Sequence, residues 1–361
     1  MKPLYISATL QDSGKTSLTC GLIQVLRARN LDPGYIKPVG QRYIVFGGTN
    51  IDEDAVLVHE AFGYKDAPQD MSPIAIERGF TTKFIQDPDV QPLEKKILDS
   101  AAALMKAHGM LVVEGTGHAG VGSCFGLSNA RVAQLLGAKA LIITAGGIGK
   151  PIDEIAASLA LFRQHDVEVL GVILNKVIPD KLGKTTATVD KGLRFLGTRL
   201  IGSLPYEPQL TAFTVGQVAD EFHYEVLSGR DNLSNTIDHT VVAAMEPQNL
   251  VRYIKCNSLV IMPGDRTDNM LVSIVVLSNE APSTGGLILT GDLVPDPTIL
   301  ALLRKSNIPV LLARDDTFTV SSRMKDLGFK IQAGDKRKIA ATRTLVEKYV
   351  NVDELLKALE G

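Results

Sequence analysis

The stretch "SATLQDSGKTS", Ser7 to Ser17, constrains this chain more than any other because of what flanks it. The apolar "LYIS" before it reads as a buried strand, and "LTCGLIQVLRAR" after it has the apolar period of a helix. A glycine-ended loop in that position turns backbone amides and the positive end of a helix toward one point, which is a place for an anion. Its chemistry is phosphate binding, and its setting is an α/β fold.

The N-terminal half repeats the same alternation. "GYIKPV", "MLVVEG", "ALIITAG", "VLGVILNK" and "RLIGSLP" each read as a strand, apolar almost throughout and closed by a turn or polar residue. Between them lie helical patterns. Residues 17–29 stop at "NLDPG", residues 128–136 stop at Gly137, and residues 151–164 open with proline and two acids, the charge favoured in a first turn. Strands separated by such helices predict a P-loop NTPase-type, mostly parallel sheet with helices on both faces. Ligands bind such sheets at the carboxyl ends of the strands, where Ser7, Lys37, Glu114, Thr144 and Asn175 are expected.

The loop does not match GxxxxGK[ST] strictly, since Thr9 stands where that pattern has its first glycine. Ser13, Gly14, Lys15, Thr16 and Ser17 supply the nucleotide-binding end, with Lys15 placed for the outer phosphates and the Thr16 hydroxyl for Mg²⁺. On these residues the chain resembles dethiobiotin synthetase and the related N-terminal domains of cobyrinic acid synthases and long-form phosphate acetyltransferases, over about residues 1–210. The resemblance implies ATP and Mg²⁺ as cofactors. It implies further that Lys37 in "GYIKPVGQ" reaches the substrate and the phosphate in transfer, and that Asp54 in "NIDEDAVLV" and Glu114 in "LVVEGTGH" hold Mg²⁺. Asn175 in "ILNKV" would recognise adenine, and "IGSLPYEP" with Pro205 would lie beside the base. Ala8 replaces the family's usual first glycine, and apolar Leu10 replaces an Asp of the synthetase loop.

The chemistry of that set is coherent in itself. Thr16, Asp54 and Glu114 offer three oxygen ligands to a magnesium ion, and Lys15 and Lys37 offset charge building on a phosphoryl group. Asp52 and Glu53 are as acidic as Asp54, and residue type alone does not choose between them.

After "GSLPYEP" the character changes. Residues 216–235 read as a polar helix or two, and a new α/β alternation then runs to about residue 330, followed by two helices, "KRKIAATRTLVEKYV" and "VDELLKALE". The expected division is a nucleotide-binding domain over 1–213, a smaller α/β domain over 216–330, and a helical tail over 331–361. In the second domain "VIMPGDRTDNM" and "GGLILTGDLVPDP" resemble the DRTGG domain of long-form phosphate acetyltransferases. Asp265, Arg266 and Thr267 keep its first three letters, while Asp268 and Asn269 replace its two glycines. The cluster reads either as a turn braced by a charge-assisted hydrogen bond or as a regulatory ligand site.

Composition bounds the partners. A formal net charge of −2 provides no field for nucleic acid or an anionic membrane, and three cysteines, Cys20, Cys124 and Cys256, are too few for a disulfide framework. No apolar run reaches the roughly 18 residues of a spanning helix, and "MKPLYISAT" has no signal-peptide form, so a cytoplasmic protein is expected. The resemblance implies a homodimer, with an acetate-metabolism enzyme as a partner. With no acetyl-transfer domain after the DRTGG-like region, the chain is not expected to be a phosphate acetyltransferase by itself. Three readings stay open: a slow or ligand-dependent ATPase with a regulatory role; an ATP-dependent synthetase or ligase acting on a small carboxylate or amine; and a protein-contact module with a degenerate loop.

Overall fold

The structure, a computed structural model, describes residues 1–279, 285–326 and 331–360. Residues 327–330, which the sequence places at the end of the second domain, lie outside the described residues. The chain divides into two units, Met1–Glu207 with Ile331–Gly361, and Pro208–Lys330.

The first unit begins β1 (Leu4–Ala8), α1 (Lys15–Ala28), β2 (Gly34–Ile36), β3 (Tyr43–Phe46), β4 (Thr49–Asp52), α2 (Glu53–Phe62) and α3 (Gln91–His108). It continues β5 (Leu111–His118), α4 (Asn129–Leu135), β6 (Lys139–Ala145), α5 (Gly149–Gln164), β7 (Val169–Val177), α6 (Leu182–Phe195) and β8 (Leu200–Pro205). Six strands form one sheet in the order β8-β7-β6-β1-β5-β2, every neighbouring pair parallel. The central strands are covered on both faces, which is why "LYISA" and "KALIIT" are buried at successive residues instead of alternating. Register places Glu114 beside Ile6 and Asn175 beside Ala145.

The second unit has α7 (Val215–Phe222), β9 (Glu225–Ser228), β10 (His239–Val242), β11 (Ser258–Pro263) and α8 (Thr267–Asn279). After these come β12 (Gly286–Thr290), α9 (Pro297–Ser306), β13 (Val310–Leu312) and α10 (Thr317–Asp326). Its sheet runs β9-β13-β12-β11-β10, with β9 antiparallel to β13 and the other pairs parallel. The pleat divides its core in two. Val260, Met262, Leu287 and Leu289 pack on one side, while Leu259, Ile261, Ile288 and Leu311 pack on the other with α7 and α10 residues Val218 and Val320. A capping box between Thr214 and Gln217 starts α7.

Of the polar helix or two expected over 216–235, the structure gives α7 and a short 3-10 turn at Arg230–Asn232, with an unexpected strand, β9, between them. His223 takes φ +54 and closes α7, after which the edge strand β9 pairs with β13 and packs Val226 and Leu227 inward. The strand is only four residues long and offers just Val226 and Leu227 to the core, one to each side of the sheet, so the segment reads as polar.

Two C-terminal helices, α11 (Lys336–Tyr349) and α12 (Val352–Glu360), complete the first unit. A Cβ on Gly21 of α1 would lie 2.6 Å from the Thr342 carbonyl oxygen and 2.5 Å from Val346 Cγ2, so only glycine lets α1 and α11 approach this closely. Gln24 Nε2 donates to the Ile339 carbonyl at 2.7 Å, and Lys139 Nζ to that of Ala358 at 2.7 Å. Among the described residues no helix is long and apolar enough to cross a membrane.

Candidate nucleotide site

Gly14 is the N-cap of α1 at φ +95, a backbone conformation that disfavours a side chain. No side chain caps the helix and its first turn holds no acid, so the opening amides and the helix dipole face the loop. Lys15, Thr16 and Ser17 begin the helix there, with Lys15 and Ser13 buried.

The loop is held from behind. Ser13 Oγ donates to the Leu10 carbonyl at 2.9 Å and Thr9 N to that of Ile143 at 3.0 Å. Asn175 Nδ2 donates to Ser13 O at 2.9 Å, and Lys176 Nζ to Asp12 O at 2.6 Å. Thr9, at the missing glycine position, packs its hydroxyl 2.9 Å from Thr144 Oγ1 and 3.0 Å from Glu154 Oε2. Pro205, at the end of β8, pairs with Val177 on the neighbouring strand.

In front of the loop lies a buried charge cluster. Lys37, just past β2, donates to Asp54 Oδ2 and, at 3.2 Å, to Glu114 Oε1, with Asp52 Oδ1 at 3.9 Å. Thr16 Oγ1 donates to Glu114 Oε1 at 2.8 Å, and the Tyr35 hydroxyl approaches Glu114 Oε2 at 3.3 Å. Lys37, Asp52, Asp54 and Glu114 are all at most 4% exposed. Burial by itself would lower the Lys37 pKa; the carboxylates of Asp54, Glu114 and Asp52 outweigh it and hold the pKa well above the ordinary lysine value. Burial, reinforced by the same three carboxylates, pushes the Tyr35 hydroxyl up, so it stays protonated and can donate.

Three sequence candidates from distant segments, Thr16, Asp54 and Glu114, thus meet around Lys37. Helix geometry separates the acids in part: Asp52 caps α2 by accepting from Asp54 N at 3.0 Å and stays 3.9 Å from Lys37, Glu53 lies toward Arg42, and Asp54 makes the direct contact with Lys37. Glu114, expected at a strand end, lies inside β5 instead. The strand runs on to His118 because Thr116 donates its hydroxyl to Val39 O and Asn129 Nδ2 holds the carbonyls of Thr116 and His118 at 2.7 and 2.6 Å. Reading by residue type overlooked Tyr35, in β2 two residues before Lys37, and the contact among Thr9, Thr144 and Glu154.

Magnesium fits the donor set in charge and type. Three carboxylates face one ammonium, an excess of two negative charges, and the Thr16 hydroxyl adds a hard oxygen. Among the described residues, no group of three or more His, Cys, Asp and Glu side chains is arranged as a self-contained metal site. A cation here would draw further oxygens from a phosphate ligand and water, as magnesium commonly does.

In the second unit, Asp265, Arg266 and Thr267 fall at the turn from β11 into α8. Arg266 forms a two-pronged pair with Asp268, both contacts 3.0 Å, and this hydrogen bond holds the Asp268 carboxyl below its usual range. Asn269 is fully buried and donates to the carbonyls of Ala243 and Met245 at 3.0 and 2.9 Å. Both residues that replace the motif's glycines therefore brace the turn.

Residues 2–214 match the family described as an AAA domain, and residues 217–327 match the DRTGG domain. The phosphate acetyltransferase of Pseudomonas putida is 28% identical over 353 residues, covering 94% of this chain and 49% of that protein. That of Nitratidesulfovibrio vulgaris is 27% identical over 364 residues, covering 98% and 51%. The chain thus spans about half the length of these curated relatives. Among solved structures, the CBS and DRTGG domains of the regulatory region of Clostridium perfringens pyrophosphatase, complexed with diadenosine tetraphosphate, align at 26% identity over 32% of this chain and 46% of that one. Their TM-score is 0.27.

Proposed function

Since the chain belongs to the AAA-domain family over residues 2–214, linked to a DRTGG domain, we propose that it binds ATP with magnesium and is a slow or ligand-dependent ATPase with a regulatory role in acetyl-phosphate or acetate metabolism. The observation that carries this reading is the open N-terminus of α1 behind Gly14, set beside the buried cluster of Thr16, Lys37, Asp54 and Glu114.

In this reading the amides of residues 14–17 and the Lys15 ammonium bind the phosphates. Thr16, Asp54 and Glu114 hold the magnesium ion, which supplies charge neutralisation on the phosphoryl oxygens. Lys37 balances the carboxylates and, with Lys15, offsets charge on the phosphoryl group in transfer. Its raised pKa keeps it charged throughout the physiological range. Support for this reading comes from the match of nearly the whole chain, its AAA and DRTGG regions together, to about half the length of phosphate acetyltransferases.

A second reading, an ATP-dependent ligase for a small carboxylate or amine, draws on the same Lys37, buried among acids where an accepting group could be oriented. Calorimetric titration with ATP, ADP and GTP, with and without Mg²⁺, tests the nucleotide claim. Wild-type protein is expected to bind Mg-ATP, and Lys15→Ala to bind it roughly tenfold to hundredfold more weakly, the worth of one charge-assisted contact. Absence of binding to folded wild-type protein would refute both readings. Phosphate release that appears only with an added carboxylate or amine would favour the ligase.

A further inference from the structure

Asn175 and Lys176 are consecutive residues of β7, yet both reach across to the backbone of the phosphate loop. The Asn175 amide is engaged at each end: Nδ2 donates to Ser13 O at 2.9 Å, and Oδ1 accepts from Lys176 N at 2.9 Å. Next along the chain, Lys176 Nζ donates to Asp12 O at 2.6 Å. Lys176 and Asp12 are both non-glycine residues at positive φ, +57 and +55, a conformation that surrounding contacts must hold. The fit is tight, since a Cβ on Gly14 would lie 2.2 Å from Asn175 Nδ2. Two consecutive carbonyls of the loop are thereby turned back toward β7. Peptide planarity links each carbonyl to the following amide, so holding Asp12 O and Ser13 O also fixes the amides of Ser13 and Gly14 on the opposite side.

We propose that Asn175 and Lys176 act as a positioning clamp that keeps the phosphate loop in its anion-binding form. The Asn175 amide holds the loop through one of its N–H groups, whatever else the amide meets, and Lys176 becomes a determinant of phosphate affinity although it touches no phosphate. This inference rests on the nucleotide reading for its ligand, but not for its geometry.

Asn175→Ala and Lys176→Met, made in the full chain, separate the possibilities. The first arm needs no nucleotide: hydrogen exchange of the peptide covering residues 9–17 is expected to quicken severalfold in both variants, with exchange in β5 and β6 and the thermal midpoint of the first unit nearly unchanged. Unchanged exchange in the loop would overturn the clamp. The second arm measures binding of ATP, GTP and inorganic tripolyphosphate. A clamp weakens all three by a similar factor, roughly fivefold to tenfold for one lost hydrogen bond. Loss confined to ATP in Asn175→Ala, with tripolyphosphate unaffected, would assign that residue to the base and overturn the proposal. If wild-type protein binds none of the three, the nucleotide reading fails while the exchange arm still decides the clamp.

Discussion

Replacing Lys37 by methionine removes one ammonium from a buried site that holds three carboxylates. Met is close in length to the lysine stem, so the cavity stays filled and the change is chiefly electrostatic. Breaking a buried pair by deleting one partner costs about 3–5 kcal/mol. The low end applies here, because Glu114 keeps the Thr16 hydroxyl at 2.8 Å and Tyr35 at 3.3 Å, and Asp52 keeps the amide of Asp54. A loss of about 3 kcal/mol at pH 7.5 is therefore expected in urea unfolding of the first unit. The pH dependence has a definite sign. Wild-type Lys37 has its folded pKa raised, so its contribution is complete below the unfolded lysine pKa and fades only at strongly alkaline pH, giving no slope between pH 5.5 and 8. Magnesium at millimolar concentration should restore part of the variant's lost stability, since a divalent cation replaces the missing charge. A deficit below about 1 kcal/mol that is indifferent to Mg²⁺ would show that the four groups are not coupled as the geometry requires.

Other substitutions probe the remaining elements. Gly21→Val should drive α1 and α11 apart, because even a Cβ meets the Thr342 carbonyl at 2.6 Å; a loss of about 1–3 kcal/mol in the first unit is expected by thermal unfolding, with the second unit unaffected. Thr214→Ala deletes one half of the capping box and should cost the second unit about 1 kcal/mol, read from its own unfolding transition. Gly14→Ala places a Cβ against Asn175 Nδ2 at positive φ, so calorimetry should show weaker Mg-ATP binding as well as lower stability. Arg266→Ala removes a solvent-screened surface ion pair and should leave the unfolding transition of the second unit nearly unchanged, since the Asn269 contacts still hold the turn.

The sequence by itself determined whatever is written in neighbouring residues. The strand, glycine loop and helix at the N-terminus, the parallel α/β class, the helices at 336–349 and 352–360 and the DRTGG-like turn are all local signals, because backbone propensity, capping and apolar period act over one or two turns of chain. Residue type alone also nominated Thr16, Lys37, Asp54 and Glu114. Tertiary structure alone decided that these four meet, since Lys37 and Glu114 are 77 residues apart and only the pairing of β2 with β5 joins them. It likewise set Asp54 in direct contact with Lys37 with Asp52 close behind, turned Asn175 toward Ser13, and made part of the polar stretch before residue 235 an edge strand. The return of α11 to α1 hangs on a close approach at Gly21 that no periodicity announces. Contacts between distant segments depend on register, burial and shape, and these quantities do not exist until the chain has folded.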